Sequence, residues 1–218
     1  MNTSILDEKI KDIDGNTYNI IKIGEQYWTV ENLKTRSLND GSPIALIDNC
    51  FEWGTAGNFE TPAYNYLDFD ADGAWYNWYA IGTKKLAPEG WRVPTDEDWT
   101  RLEKYLISSG HNWDGSTSGN KIAKSMAANT AWKGHESNGA IGNDLSKNNK
   151  SGFSARPGGY ISSYCNSNYF DNYGYWWGSA YDDLSAHVYS LYYNADYLHH
   201  HICSKGYGFS VKLIKEEN

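Results

Sequence analysis

The chain has 218 residues, with ten Trp, 18 Tyr and 21 Gly and a formal net charge of -8. That acidity argues against a nucleic-acid partner, because phosphate binding needs a basic face. No apolar run approaches the length that spans a bilayer, so direct membrane insertion is not expected. Aromatics and glycines at this density point to a loop-rich fold with aromatic packing, not a helical bundle.

Met1 to Glu8 show neither the basic start nor the apolar core of a signal peptide, and residues 1–11 read as an extension ahead of a single domain over 12–218. Asp14-Gly15 is a turn signal. Two β-rich runs, Tyr18 to Ile23 and Tyr27 to Val30, flank Gly24-Glu25 and predict a hairpin. Residues 39–74 are punctuated by Gly and Pro and read as loop. Trp75 to Ile81 is expected to begin a short buried helix, although its aromatic spacing suits a strand equally. The clearest helix follows Pro94: Thr95-Asp96-Glu97-Asp98 is a capping box, and Trp99, Leu102 and Leu106 fall on one face beside Tyr105. It should end near Ser109-Gly110. A second short helix is expected near Lys121 to Ala128, then a long surface loop over 133–152.

The last fifth reads as two strands, Gly174 to Ala180 and Gly206 to Leu213. In the second, Phe209, Val211 and Leu213 alternate with Ser210 and Lys212. Between them stand Tyr181, Asp182, Asp183, His187, Tyr189, Tyr192, Tyr193, Asn194, Asp196, Tyr197, His199, His200, His201 and Tyr207. This is the palette of loop-built binding surfaces, where Tyr gives contact area at low entropy cost and small polar residues adapt. Asn166, Asn168 and Tyr169 are candidates to join them.

Three motifs invite sharper readings. His199-His200-His201 suggests a metal, but adjacent residues of an extended chain point alternately to opposite sides, so no metal site is expected. Asp68-Phe69-Asp70-Ala71-Asp72-Gly73 copies the first half of an EF-hand loop, yet position twelve is Tyr79 where a bidentate Glu is required. The reading is an acidic turn, and no cofactor is expected. Cys50, Cys165 and Cys203 are too few and scattered for a disulfide framework; Cys165 with Cys203 is the pair best placed to bridge, and the sequence leaves open whether it does.

Asp12-x-Asp14-Gly15-Asn16-x-Tyr18, Trp28-x-x-Glu31-Asn32-Leu33, Tyr76-Asn77-Trp78, Gly90-Trp91-Arg92-Val93-Pro94-x-x-x-x-Trp99, Gly152-Phe153-Ser154-Ala155-x-Pro157-Gly158-Gly159, Trp176-Trp177-x-Ser179 and Gly208-Phe209-Ser210-Val211 occur in order. The chain thereby resembles the Fibrobacter succinogenes major paralogous domain (FISUMP) family from about Asp12 to Leu213. The resemblance implies an α+β, C-type-lectin-like fold related to the formylglycine-generating enzyme, with paired terminal strands, few short helices and many loops. It also implies kinship with variable proteins of diversity-generating retroelements. Mutated template adenines in such systems scatter Asn codons into Asp, Tyr, His and Ser, the palette of Tyr181 to Tyr207. The variable region would span about 160–214.

The favoured expectation is a non-enzymatic ligand- or receptor-binding protein, diversified at its C-terminal surface. It would be displayed on a cell or a phage tail and take a protein or glycan receptor, with no catalytic residue. An undiversified glycan-binding adhesin or lipoprotein domain is the alternative, and a formylglycine-generating-like oxidase the third.

Overall fold

The computed structural model describes residues 5–66, 73–162, 167–168 and 170–217, with backbone only for Ile5, Ser167 and Asn168. The strands in chain order are β1 (Ile5–Lys11), β2 (Thr17–Ile23), β3 (Gln26–Thr29), β4 (Ala45–Leu46), β5 (Ala63–Asn65), β6 (Trp75–Asn77) and β7 (Trp91–Arg92). They continue with β8 (Tyr160–Ile161), β9 (Ser167–Asn168), β10 (Tyr173–Ala180), β11 (Ser185–Tyr192), β12 (His199–Ser204), β13 (Gly208–Phe209) and β14 (Ile214–Lys215). The helices are α1 (Cys50–Asn58), α2 (Trp78–Gly82), α3 (Asp96–Ser108) and α4 (Ala123–Met126), with a 3-10 turn at Leu145–Lys147. The architecture is mixed α+β, mostly sheet with few short helices.

Among the described residues three sheets form, in the orders β1-β2-β3-β14-β7, β4-β5-β6-β13-β8-β9 and β10-β11-β12. The predicted hairpin is β2–β3, in register from Ile20↔Thr29 to Ile23↔Gln26. The C-terminus joins it where Ile214 pairs with Trp28. Residues 5–11, expected as an extension, instead pair with β2 as the edge strand β1.

The sequence motifs meet in the interior. Trp28, Trp99 and Phe153 pack with centroids 5.2–5.7 Å apart. Trp176 Nε1 donates to Asn32 Oδ1 at 2.8 Å, and Trp177 Nε1 donates to the Tyr76 carbonyl at 2.7 Å. These two indoles thus find acceptors in other motifs, which satisfies their N–H groups away from water, whereas Trp28 Nε1 is buried without a partner. Gly152 shows why this position is glycine: its φ is +74°, and a Cβ there would lie 2.1 Å from Ile21 Cδ1.

The helix after Pro94 is α3. Thr95 accepts from the Asp98 N–H and Asp98 accepts from the Thr95 N–H, the reciprocal capping box the sequence predicts. Trp99, Leu102 and Leu106 are buried. Burial works to raise the Asp98 pKa, but Arg92 and the Thr95 amide hold it below its ordinary value.

Several expectations need correction. The 39–74 segment contains α1, whose Gly54 and Gly57 disguise it. Asn49 caps it by accepting from the Glu52 N–H at 2.9 Å, and Trp53 anchors it by donating Nε1 to the Gly206 carbonyl at 3.0 Å. Trp75 to Ile81 is both alternatives in turn, β6 and then α2. The 133–152 loop is not all surface: Ala140, Ile141, Asn148 and Ser151 are buried. The alternation at 209–213 does not divide core from solvent, because Ser210 and Lys212 are buried too. Lys212 donates to the carbonyls of Thr29 and Val30 and lies 4.7 Å from the Phe153 ring; burial pushes its pKa down to about 7. Cys203 is a free thiol and Cys50 is disulfide-bonded, so the Cys165–Cys203 bridge does not form. Of the EF-hand-like stretch Asp68–Gly73, only Gly73 lies within the described residues.

Candidate binding site on the C-terminal sheet

Residues 181–207 do not make one surface. Most belong to β11 and β12, which pair antiparallel in the register Ser185↔Ser204 to Ser190↔His199. Side chains of a strand alternate between faces, and directly paired residues share a face. Tyr189 and His200 therefore point one way, with His187. Ser190 and His199 point the other way, with Tyr192 and His201.

On the first face, Tyr189 is buried, not exposed as the palette suggested. Its ring stacks between Trp99 and His200, with centroids 4.8 Å from each. Its hydroxyl donates to Asp96 Oδ1, at the start of α3. Burial raises the phenol pKa, and Asp96 raises it further. His187 Nδ1 lies 2.7 Å from His200 Nε2. Burial lowers the His200 pKa; Asp96 opposes that and His187 adds to it.

On the second face, Tyr192, His199 and Tyr197 stack in series with centroids 4.0 Å apart at each step. His201 Nε2 is shared by the hydroxyls of Ser190 at 2.9 Å and Tyr192 at 3.0 Å. Burial pushes the His199 pKa down to about 4, with His201 contributing, and His199 Nε2 is buried without a partner. Beside this stack opens a cavity of about 430 Å³, lined by Tyr192, Asn194, Ala195, Asp196, Tyr197 and His199 from the C-terminal segment and by Ser137, Asn138 and Ala140 from the preceding loop. Trp113 Nε1 donates to Asp196 Oδ2 at 3.1 Å and fixes that carboxylate at the rim. Asn194 and Tyr197 are exposed.

The other candidates are dispersed. Tyr181, Asp182 and Asp183 sit at the exposed β10–β11 turn. There Asp182 accepts from the Leu184 and Ser185 amides at 2.8 and 2.7 Å, which lower its pKa and occupy its carboxylate locally. Tyr193 packs against His135 and under the Lys133 ammonium. Tyr207 stacks on Tyr160 and Phe209 at the far end of the sheet. Asn166 and Tyr169 lie outside the described residues.

Sequence reasoning missed Tyr173 and Tyr175, which continue the aromatic row from Tyr192, with Tyr173 4.6 Å from it. Their alternation with Gly174 and Trp176 was the available signal. It also missed Asp96, whose visible role was helix capping, and the 137–140 loop that forms the opposite wall of the cavity.

The site is a half-open aromatic and carboxamide-lined cleft at the end of the β11–β12 pair, in a sheet-rich α+β domain. The Fibrobacter succinogenes major domain model matches residues 21–215, so the chain belongs to that family. No curated protein and no solved structure matches it. Among the described residues no helix is long and apolar enough to cross a membrane.

Proposed function

We propose that the chain is a non-enzymatic binding protein with a C-type-lectin-like fold, and that its ligand enters the cleft between the 137–140 loop and the Tyr192–His199 segment. The carrying observation is the Tyr192–His199–Tyr197 stack beside the cavity. Tyr192 and His199 stand on paired strands whose backbone hydrogen bonds do not depend on side-chain identity, and Tyr197 stands on the loop that joins them. Contacts held in place in this way lose little entropy on binding. The same arrangement suits diversification by a retroelement, since cleft side chains such as Asn194 and Tyr197 can vary while the sheet persists. Tyr189 and Ser190 share the palette but are buried, so useful variation is confined to positions facing the cleft.

A glycan ligand is the second reading. It is favoured by aromatic planes set beside Asn194, Asp196 and Asn138, the pairing of an apolar wall with a few orienting polar groups that small-ligand sites use. Two observations support the wider picture. The disulfide at Cys50 suits an oxidising compartment, as on a cell or virion surface. The free thiol Cys203 has its pKa raised by burial, which disfavours the thiolate an oxidase would need.

The test replaces Asn194 and Tyr197 by Ala together and screens parent and variant against a glycan array and a surface-protein library. Loss of a parent ligand with an unchanged melt supports the cleft; retained binding moves the site elsewhere. A template copy of codons 160–214 beside a reverse transcriptase in the genome decides diversification separately.

A further inference from the structure

We propose that Asp96, His187 and His200 form a zinc site on the face of the sheet opposite the cleft. Their donor atoms converge: His187 Nδ1 to His200 Nε2 is 2.7 Å, Asp96 Oδ1 to His200 Nε2 3.4 Å, and Asp96 Oδ1 to His187 Nδ1 3.6 Å. Ligand atoms about 2.0–2.1 Å from a tetrahedral Zn²⁺ stand about 3.3–3.4 Å apart. The two edges to Asp96 already have nearly that length. Only the His–His edge must widen, and His200, 45% exposed on the edge strand β12, can supply that widening by a small shift within its stack on Tyr189 and His187.

The donors also suit the ion chemically. Two imidazoles and a carboxylate bind first-row divalent metals, zinc included. Zinc would take the place of the hydrogen bond between the two imidazole nitrogens, and it would offset the Asp96 charge. The surrounding groups aim the ligands. Tyr189 donates to the same Asp96 oxygen and is itself clamped between Trp99 and the His200 ring, the kind of outer contact that orients metal ligands. Ser179 Oγ accepts from the Asp96 N–H at 3.3 Å, and the exposed Tyr181 ring meets His187 edge-on at 5.3 Å. Each ligand comes from a different regular element, α3, β11 and β12. Bound zinc would therefore tie the helix start to the outer strand and leave its fourth position open to water or to a donor from a partner.

The experiment uses the untagged full chain, stripped with chelator, titrated with Zn²⁺ by calorimetry and with Co²⁺ by visible absorption. The expected result is saturation at one ion per chain and a four-coordinate Co²⁺ spectrum. His187→Gln and His200→Gln should each weaken binding by at least about tenfold, while His135→Gln leaves it unchanged. Melts establish that each variant is folded; if His187→Gln is not, Asp96→Asn and His200→Gln decide. Absence of saturable zinc binding by the folded parent overturns the proposal. So does parental affinity in His200→Gln, or a loss produced by His199→Gln in its place.

Discussion

On one face of β11–β12, Tyr189 and His200 close over Trp99 and the start of α3; on the other, Tyr192, His199 and Tyr197 stand around an open cleft. The two faces use the same residue types, and what lies opposite decides their roles. A capped amphipathic helix covers the first face, so its aromatic rings become core and its histidines are drawn to a carboxylate. The second face is buried at Val188 and Ser190, but beside Tyr192, His199 and Tyr197 the 137–140 loop leaves a cleft, so these rings keep an accessible edge. A Tyr- and His-rich strand is therefore not by itself a binding surface: every second residue belongs to a different environment.

Truncation should separate the faces most sharply. Trp99→Ala and Tyr189→Ala each remove a stacked, buried ring and are expected to cost about 3–5 kcal/mol in chemical denaturation. A loss below about 1 kcal/mol for Tyr189→Ala would show that this face is not core.

Acid should reveal the second face. The folded His199 pKa, near 4, lies below the unfolded value of 6.5, so the unfolded chain takes up a proton that the fold refuses. Nothing is lost above pH 6.5; stability falls as pH drops from 6.5 to 4 and then levels. A shift of that size is worth about 3 kcal/mol in full, and partial solvent exposure reduces the expectation to about 1–2 kcal/mol. His199→Gln should flatten that part of the stability–pH curve; an unchanged slope assigns the acid sensitivity to other groups.

Smaller again is Tyr189→Phe, which removes the hydroxyl from Asp96 and keeps the stack. It should cost about 0.5–1.5 kcal/mol, the net worth of one hydrogen bond, read from the same denaturation curves. The smallest effect belongs to the cleft rim: Asn194→Ala with Tyr197→Ala should stay within about 0.5 kcal/mol of the parent. Unfolding of that double variant would make the rim structural and remove the argument for a cleft there.

Much of the scaffold was legible because its signals are local. The hairpin at Gly24-Glu25, the capping box at Thr95 and the buried stripe of Trp99, Leu102 and Leu106 depend on neighbours within a few residues. Helix α1 was not, because Gly54 and Gly57 lower its propensity and it is held by Trp53 on the Gly206 carbonyl, a partner 153 residues away. Lys212 looked like a solvent residue by alternation; two carbonyls and the Phe153 ring take it into the core. The site was half legible. Tyr192, Asn194, Asp196, Tyr197 and His199, all visible by composition, line the proposed cleft, but Ser137 and Asn138 come from a loop with no periodicity to mark it.

The amino-acid order by itself determined the family, the local elements and the palette of the C-terminal segment, since motifs, caps and composition are properties of short stretches. Only the tertiary structure decided which side of the sheet each palette residue serves. That choice is set by strand register and by the element packed opposite, and both depend on contacts far apart in sequence. Asp96 shows the difference most plainly: in sequence it is one acid of a helix cap, and in space it faces two histidines more than 90 residues further along the chain.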